Sequence, residues 1–144
     1  MSISSHLRRQ VIQDADHRGE YCQTSSRLTG TPLVMEHILP RSLGGRDDRE
    51  NLTAACYRCN EFKGAKTEAV DPKTGQIVPL FNPRSERWQT NFVWGNGGTH
   101  IMGITPIGRA TVITLRLNND NLVAARAMWI ESGWHSPNVG QAAE

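Results

Sequence analysis

No stretch of the chain approaches the ~18 consecutive apolar residues that a bilayer crossing needs, so no transmembrane helix is expected. The opening run, Met1-Ser2-Ile3-Ser4-Ser5-His6-Leu7-Arg8-Arg9, lacks the apolar centre of a secretory signal. A cytoplasmic setting is the expectation that follows. Cysteine is scarce: Cys22, Cys56 and Cys59 are the whole complement. An odd number without a secretory signal argues against a disulfide framework. Strong charge of either sign is missing as well, since 16 Lys and Arg against 14 Asp and Glu leave a formal charge of +2. That mild basic bias is compatible with nucleic acid but is no evidence for it. Internal repeats and low-complexity segments are absent. What is present suffices for a core: 38% of the 144 residues are hydrophobic, and a chain of this length fits a single domain, 1–144.

Local patterns give the order of elements. Residues 4–18 read as a helix capped by Ser4 or Ser5, with Leu7, Val11 and Ala15 on one face and Gly19 just past its end. Residues 20–32 are polar and turn-rich. Leu33 to Leu39 reads as a strand ended by Pro40, Ser42 to Asp48 as a charged loop containing Gly44 and Gly45, and Leu52 to Cys56 as a second strand. Tyr57 to Lys66 is helix-compatible. Asp71-Pro72-Lys73-Thr74-Gly75 is a turn, and Ile77 to Phe81 a strand. Phe92–Trp94 and Thr99–Ile104 form a hairpin around Gly95-Asn96-Gly97-Gly98. Thr105-Pro106 opens one helix in the favoured cap-then-proline order. Asn118-Asn119-Asp120 breaks it and caps another that runs to Gly133, after which little remains to pack. The fold class expected is α+β, with an N-terminal helix and a C-terminal hairpin plus two-helix extension over 76–133.

One stretch carries chemistry. Glu36 and His37 are neighbours on the first strand, so their side chains leave it in different directions. One can hold a metal while the other faces a substrate atom. Asn60 lies in the first turn of the following helix, and a strand packed on that helix could bring Glu36 and Asn60 together. Their oxygens are hard ligands suited to Mg²⁺ or Mn²⁺. Two protein ligands leave an open shell for water and phosphate, as phosphodiester hydrolysis requires. Taken singly, each residue has a plainer reading: a solvated strand edge for Glu36 and His37, a turn for Asn51, a helix cap for Asn60. Together, His37-x13-Asn51-x8-Asn60, with Gly44-Gly45 in the loop and Cys56-x-x-Cys59 before the last Asn, form a specific constellation.

Residues 20–66 resemble the ββα-metal core of HNH endonucleases, in the variant whose last motif residue is Asn. The resemblance implies an endonuclease in which His37 is the general base, Glu36 and Asn60 hold the catalytic divalent ion, and Asn51 braces the loop and orients the histidine. An imidazole of ordinary pKa, ~6.5, can take a proton from water at neutral pH. The resemblance further implies a DNA substrate, double-stranded, with the core helix in the minor groove, no membrane and no small-molecule cofactor. Arg41, Arg58, Lys63 and Lys66 become candidates for phosphate contacts, with solvated surface charge as the plainer reading. Arg84, Arg87, Arg109, Arg116 and Arg126 carry further positive charge without a place. Trp88, Trp94, Trp129 and Trp134 read as core or lid residues. Pro79-Leu80-Phe81-Asn82-Pro83-Arg84, with the helical tail, resembles a bacterial subgroup of these proteins.

Many HNH proteins close a structural zinc site with two Cys-x-x-Cys pairs. Here Cys56 and Cys59 are present, but the first pair is reduced to Gly19-Glu20-Tyr21-Cys22. Structural zinc takes four ligands, so zinc on Cys22, Cys56 and Cys59 is expected to be weakened by Gly19. His17 is the nearest fourth candidate, and water or Glu20 the others; burial of the cysteines without metal is the plainer reading. Two other functions remain open at this point: an idle nucleic-acid-binding module on the same scaffold, and an RNA nuclease.

Overall fold

The computed structural model describes residues 3–135. The chain forms two compact units, one of residues up to 67 with 82–86, the other of residues 68–81 with those from 87 onward.

In the first unit, helix α1 spans Ser5–Asp14, with Ser4 as its cap: the hydroxyl accepts from the Leu7 N–H at 3.1 Å. The helix stops short of Gly19 because Asp16 and His17 both take left-handed backbone, φ 52° and 58°. Gly19 serves elsewhere: its N–H donates to Thr24 O, and its carbonyl accepts from Gln23. A single turn, α2, covers Ser26–Thr29. Strand β1, Val34–His37, pairs antiparallel with β2, Leu52–Ala55, in the register Glu36 to Thr53 and His37 to Leu52. Helix α3, Tyr57–Lys63, begins directly after β2, because Cys56 is its cap and not the end of the strand. Val11, Leu33, Leu52 and Ala54 form the small core between α1 and the strand pair, flanked by Ile3, Leu7, Ile12, Ala15 and Met35. Full burial of a residue such as Leu52 contributes about 1.5–3 kcal/mol.

In the second unit, β3, Glu68–Val70, pairs with β4, Ile77–Pro79, around the expected turn. The tripeptide Glu-Ala-Val carries no alternation long enough to announce a strand, so β3 is visible only through its partner. A one-turn helix α4, Trp88–Asn91, leads into β5, Phe92–Gly95, which pairs with β6, His100–Gly103. Helix α5, Pro106–Thr114, starts at Thr105, whose hydroxyl accepts from the Gly108 N–H at 2.9 Å. Helix α6, Asp120–Glu131, starts at Asn119, whose side-chain oxygen accepts from the Leu122 N–H at 3.0 Å. Phe81, Trp88, Phe92, Trp94, Ile101, Leu115 and Leu117 are buried here. His135 extends the packed chain past Gly133, its ring meeting Trp94 edge-on at 4.5 Å and its Nε2 lying 3.2 Å from Gly98 O, while Trp134 is exposed and not the core residue expected. Residues 136–144 lie outside the described residues.

The architecture is α+β, made of short antiparallel strand pairs and helices, compatible with a ββα core. No helix among the described residues is long and apolar enough to cross a membrane.

Candidate active site

The loop between β1 and β2 is closed by one side chain. The Asn51 amide donates to Leu39 O at 3.0 Å and to Arg46 O at 2.9 Å, while its side-chain oxygen accepts from the Leu39 N–H at 2.8 Å. The glycine at 45 is required by closeness of approach: a Cβ there would stand 1.7 Å from Leu39 O and 2.9 Å from the Asn51 amide nitrogen. Folded this way, the loop returns Asp47 to β1. Asp47 Oδ1 lies 2.7 Å from His37 Nε2. Arg41 grips the same carboxylate through both oxygens, Nε to Oδ1 at 2.9 Å and Nη2 to Oδ2 at 2.8 Å. Hydrogen bonds from Arg41 and then His37 hold the Asp47 carboxyl down at about 2. An open hollow of about 440 Å³ beside this group is lined by Arg41, Gly45, Arg46, Asp47 and Asp48. His37 itself is half-buried, at the rim and not sealed in the core.

Glu36 points the other way, as adjacent residues on a strand must. It is buried, and both carboxylate oxygens are engaged: Oε2 accepts from the Tyr21 hydroxyl at 2.8 Å and Oε1 from Lys63 Nζ at 2.6 Å. Burial pushes the Glu36 carboxyl above its ordinary value, against the opposing pull of Lys63 and Tyr21. The Lys63 ammonium also donates to His37 O and Ile38 O, each at 3.3 Å. Lys63 is therefore a buried cation that joins α3 to β1, with no exposed ammonium to offer a phosphate. Asn60 stands one turn before Lys63, a spacing that puts both on one helix face. The Asn60 side chain makes no hydrogen bond among the described residues, and its backbone caps nothing beyond the regular helical pattern. Arg58 is exposed and lies over the Phe62 ring at 5.4 Å. Lys66 is exposed, donating to Phe62 O at 3.3 Å. Arg41 is partly exposed but committed to Asp47.

Three residues in this neighbourhood escaped the sequence reading: Asp47, Tyr21, and Lys63 in its ion-pairing role. Only Asp47 left a signal, as a carboxylate two positions beyond a Gly-Gly pair in a loop that has to fold back on the histidine. Of the unplaced arginines, Arg84 pairs with Glu20, Arg109 with Asp71, and Arg126 is fully buried. These three are structural cations and not part of a basic surface.

The sulfurs of Cys22, Cys56 and Cys59 lie within 4.8 Å of one another, with Cys22 and Cys56 3.6 Å apart. All three are free thiols. Hydrogen bonds from Cys56 and Cys59, opposed by burial and aided by Thr24, hold Cys22 well below the usual thiol range. Cys56 also caps α3, its sulfur accepting from the Cys59 N–H at 3.5 Å. Neither fourth-ligand candidate joins them. Glu20 is taken up by the Thr53 hydroxyl, the Ala54 N–H and Arg84. His17 stays outside the cluster. Gly19 is beside it instead: a Cβ there would meet Cys22 Sγ at 3.1 Å and the Cys56 nitrogen at 3.2 Å. The donor set thus fits three corners of a tetrahedral thiolate site, with glycine at the fourth.

Over 89 residues the chain is 38% identical to a CRISPR-associated endonuclease Cas9 of Corynebacterium diphtheriae. The alignment covers 58% of this chain and 8% of that protein, so the chain spans a small part of its relative's length. No solved structure matches the chain. The model of the HNH endonuclease family matches residues 20–73, the stretch that holds β1, β2, α3 and the three cysteines.

Proposed function

We propose that this protein is a metal-dependent endonuclease that hydrolyses phosphodiester bonds in double-stranded DNA. The observation that carries the reading is the packing of α3 on β1 through Lys63 and Glu36, which sets the helix face bearing Asn60 against the strand bearing Glu36 and His37. His37 at the loop rim takes a proton from water as the water oxygen bonds to phosphorus. The bond from phosphorus to the 3′ oxygen then breaks. Glu36 and Asn60 are the residues that would hold a divalent ion, Mg²⁺ or Mn²⁺. Such an ion supplies charge stabilisation for the phosphoryl oxygens and the leaving 3′ oxygen. The free Asn60 amide suits a hard ion, and the Glu36 oxygens keep lone pairs beyond those used by Tyr21 and Lys63. Arg58 and Lys66 are exposed cations that would meet backbone phosphates, and the hollow beside Asp47 leaves room for one. Asn51 holds the loop that frames the histidine. Zinc on Cys22, Cys56 and Cys59 would tie the segment before β1 to the start of α3. The setting is the cytoplasm.

One observation favours a second reading, nucleic-acid binding without cleavage: Glu36 already carries an ammonium at 2.6 Å. Nicking of supercoiled plasmid distinguishes the two. Wild type should nick with Mg²⁺ or Mn²⁺ and stop with EDTA, and His37→Ala should lose on the order of 10²–10⁴-fold in rate. Equal rates for wild type and His37→Ala would remove the nuclease assignment. An RNA duplex of the same sequence run alongside tests the choice of nucleic acid.

A further inference from the structure

The family pattern gives the middle Asn the task of orienting the histidine. In this chain the Asn51 side chain reaches Leu39 and Arg46, not the imidazole. The group on the ring is Asp47, 2.7 Å from Nε2. An ionised carboxylate only accepts, so in the neutral ring Nε2 carries the hydrogen and Nδ1 keeps its lone pair. Asp47 is itself fixed from two sides: Arg41 binds both of its oxygens, and Asn51 anchors the carbonyl of the preceding residue, Arg46. Gly45 permits that fold of the loop, since any side chain there would strike Leu39 O.

We infer that Asp47 is the positioning residue for His37: it fixes the Nε2–H tautomer and leaves Nδ1 to take the proton from water, with Arg41 acting through Asp47. The inference rests on the nuclease reading of His37. The proton lost by water travels to Nδ1 while the oxygen–phosphorus bond forms and the bond to the 3′ oxygen breaks, and the leaving 3′ oxygen takes a proton from solvent. Asp47 gains no proton; it holds the Nε2–H throughout, as a carboxylate does for the histidine of a hydrolase triad.

The test uses the full chain with Mg²⁺ or Mn²⁺ and plasmid DNA. Asp47→Asn keeps the shape of the side chain but offers an amide that can donate to Nε2 and so support the wrong tautomer. Its kcat should fall on the order of 10²-fold with KM little changed. Asp47→Glu should restore part of the loss, and Arg41→Ala should lower kcat by less than Asp47→Asn. Nitrogen-15 NMR of the histidine rings reads the tautomer directly, with His37→Ala identifying the signal. Wild type should show Nε2–H at His37, and Asp47→Asn should lose that preference. Unchanged kcat in Asp47→Asn, a rise in KM alone, or an Nδ1–H tautomer in wild type would each overturn the inference. Because the NMR arm needs no turnover, a wild type that fails to cut would remove the nuclease reading while still testing the contact between Asp47 and His37.

Discussion

The two compact units solve the problem of folding with opposite means. The second fills its interior with large apolar rings: Phe81 and Phe92 meet edge-on at 5.2 Å, and Trp88 lies 5.1 Å from Phe92 and 5.6 Å from Trp94. The first has a small aliphatic core around Val11 and Leu52. It makes up the difference with polar groups, namely Glu36 with Lys63 and Tyr21, Glu20 with Arg84, and three clustered thiols. Buried ions are costly to desolvate and stabilise little beyond an apolar substitute. In the first unit they join the strand and helix that carry Glu36, His37 and Asn60, whereas the buried charges of the second unit have other partners. Those of the second unit, Asp71 with Arg109 and the buried Arg126, serve turns and backbone carbonyls. Arg126 donates to Thr99 O at 2.9 Å and Leu117 O at 2.7 Å and lies over the Trp94 ring.

The contrast comes with its own reporters. All three cysteines lie in the first unit and all four tryptophans in the second. Thiol labelling and tryptophan fluorescence therefore follow the units separately. The largest effect is expected from Lys63→Ala, which strands the Glu36 carboxylate in a buried site. Removing one partner of a buried ion pair costs about 3–5 kcal/mol. The cysteines should label at much lower denaturant while tryptophan fluorescence moves less. Equal shifts in both signals would break the comparison.

Next in size is Gly19→Cys. The new side chain starts 3.1 Å from Cys22 Sγ, so without metal it should crowd the cluster and lower the melting temperature slightly. With zinc it should raise metal affinity by at least ~10-fold, the effect usual for even an outer partner of a metal site, and raise the melting temperature. A variant indifferent to zinc would show that the three thiols are packing groups only.

The smallest effect is acid weakening of the second unit. Hydrogen bonds from Arg109 hold the Asp71 carboxyl well below its ordinary value. A depressed carboxylate contributes stability above its unfolded pKa of about 4 and loses it as pH falls further. The tryptophan-monitored melting temperature should therefore decline below pH 4, and the decline should shrink in Asp71→Asn. An identical decline in that variant would move acid sensitivity elsewhere.

How much of this could be read from the sequence follows from the range of each interaction. Ser4, Thr105 and Asn119 cap helices three residues away, and such local rules place α1, α5 and α6 to within a few residues. The hairpin of β5 and β6 follows from the glycine-rich turn between them. The proposed site residues Glu36, His37, Asn51 and Asn60 stand out because their spacing is itself the signal. Pairings across long separations leave none: Lys63 reaches back 27 residues to Glu36, and Arg109 reaches back 38 to Asp71. Lys63 reads as surface charge, one turn beyond Asn60 on a short helix, until β1 is packed against it. Arg126 sits on the apolar face of α6 and looks out of register there, until the carbonyls it serves are in place. The left-handed turn at Asp16 and His17 was equally hidden, since neither residue is the glycine that such backbone favours.

The sulfur of Cys56 has two duties that cannot be separated: it belongs to the thiol cluster and it terminates the free amides at the start of α3. An alkylating or oxidising reagent at that atom would take away a cap and a member of the thiol cluster in one event. The first turn of the helix that presents Asn60 would then loosen, and damage to a thiol would be registered at the proposed site as a misplaced amide.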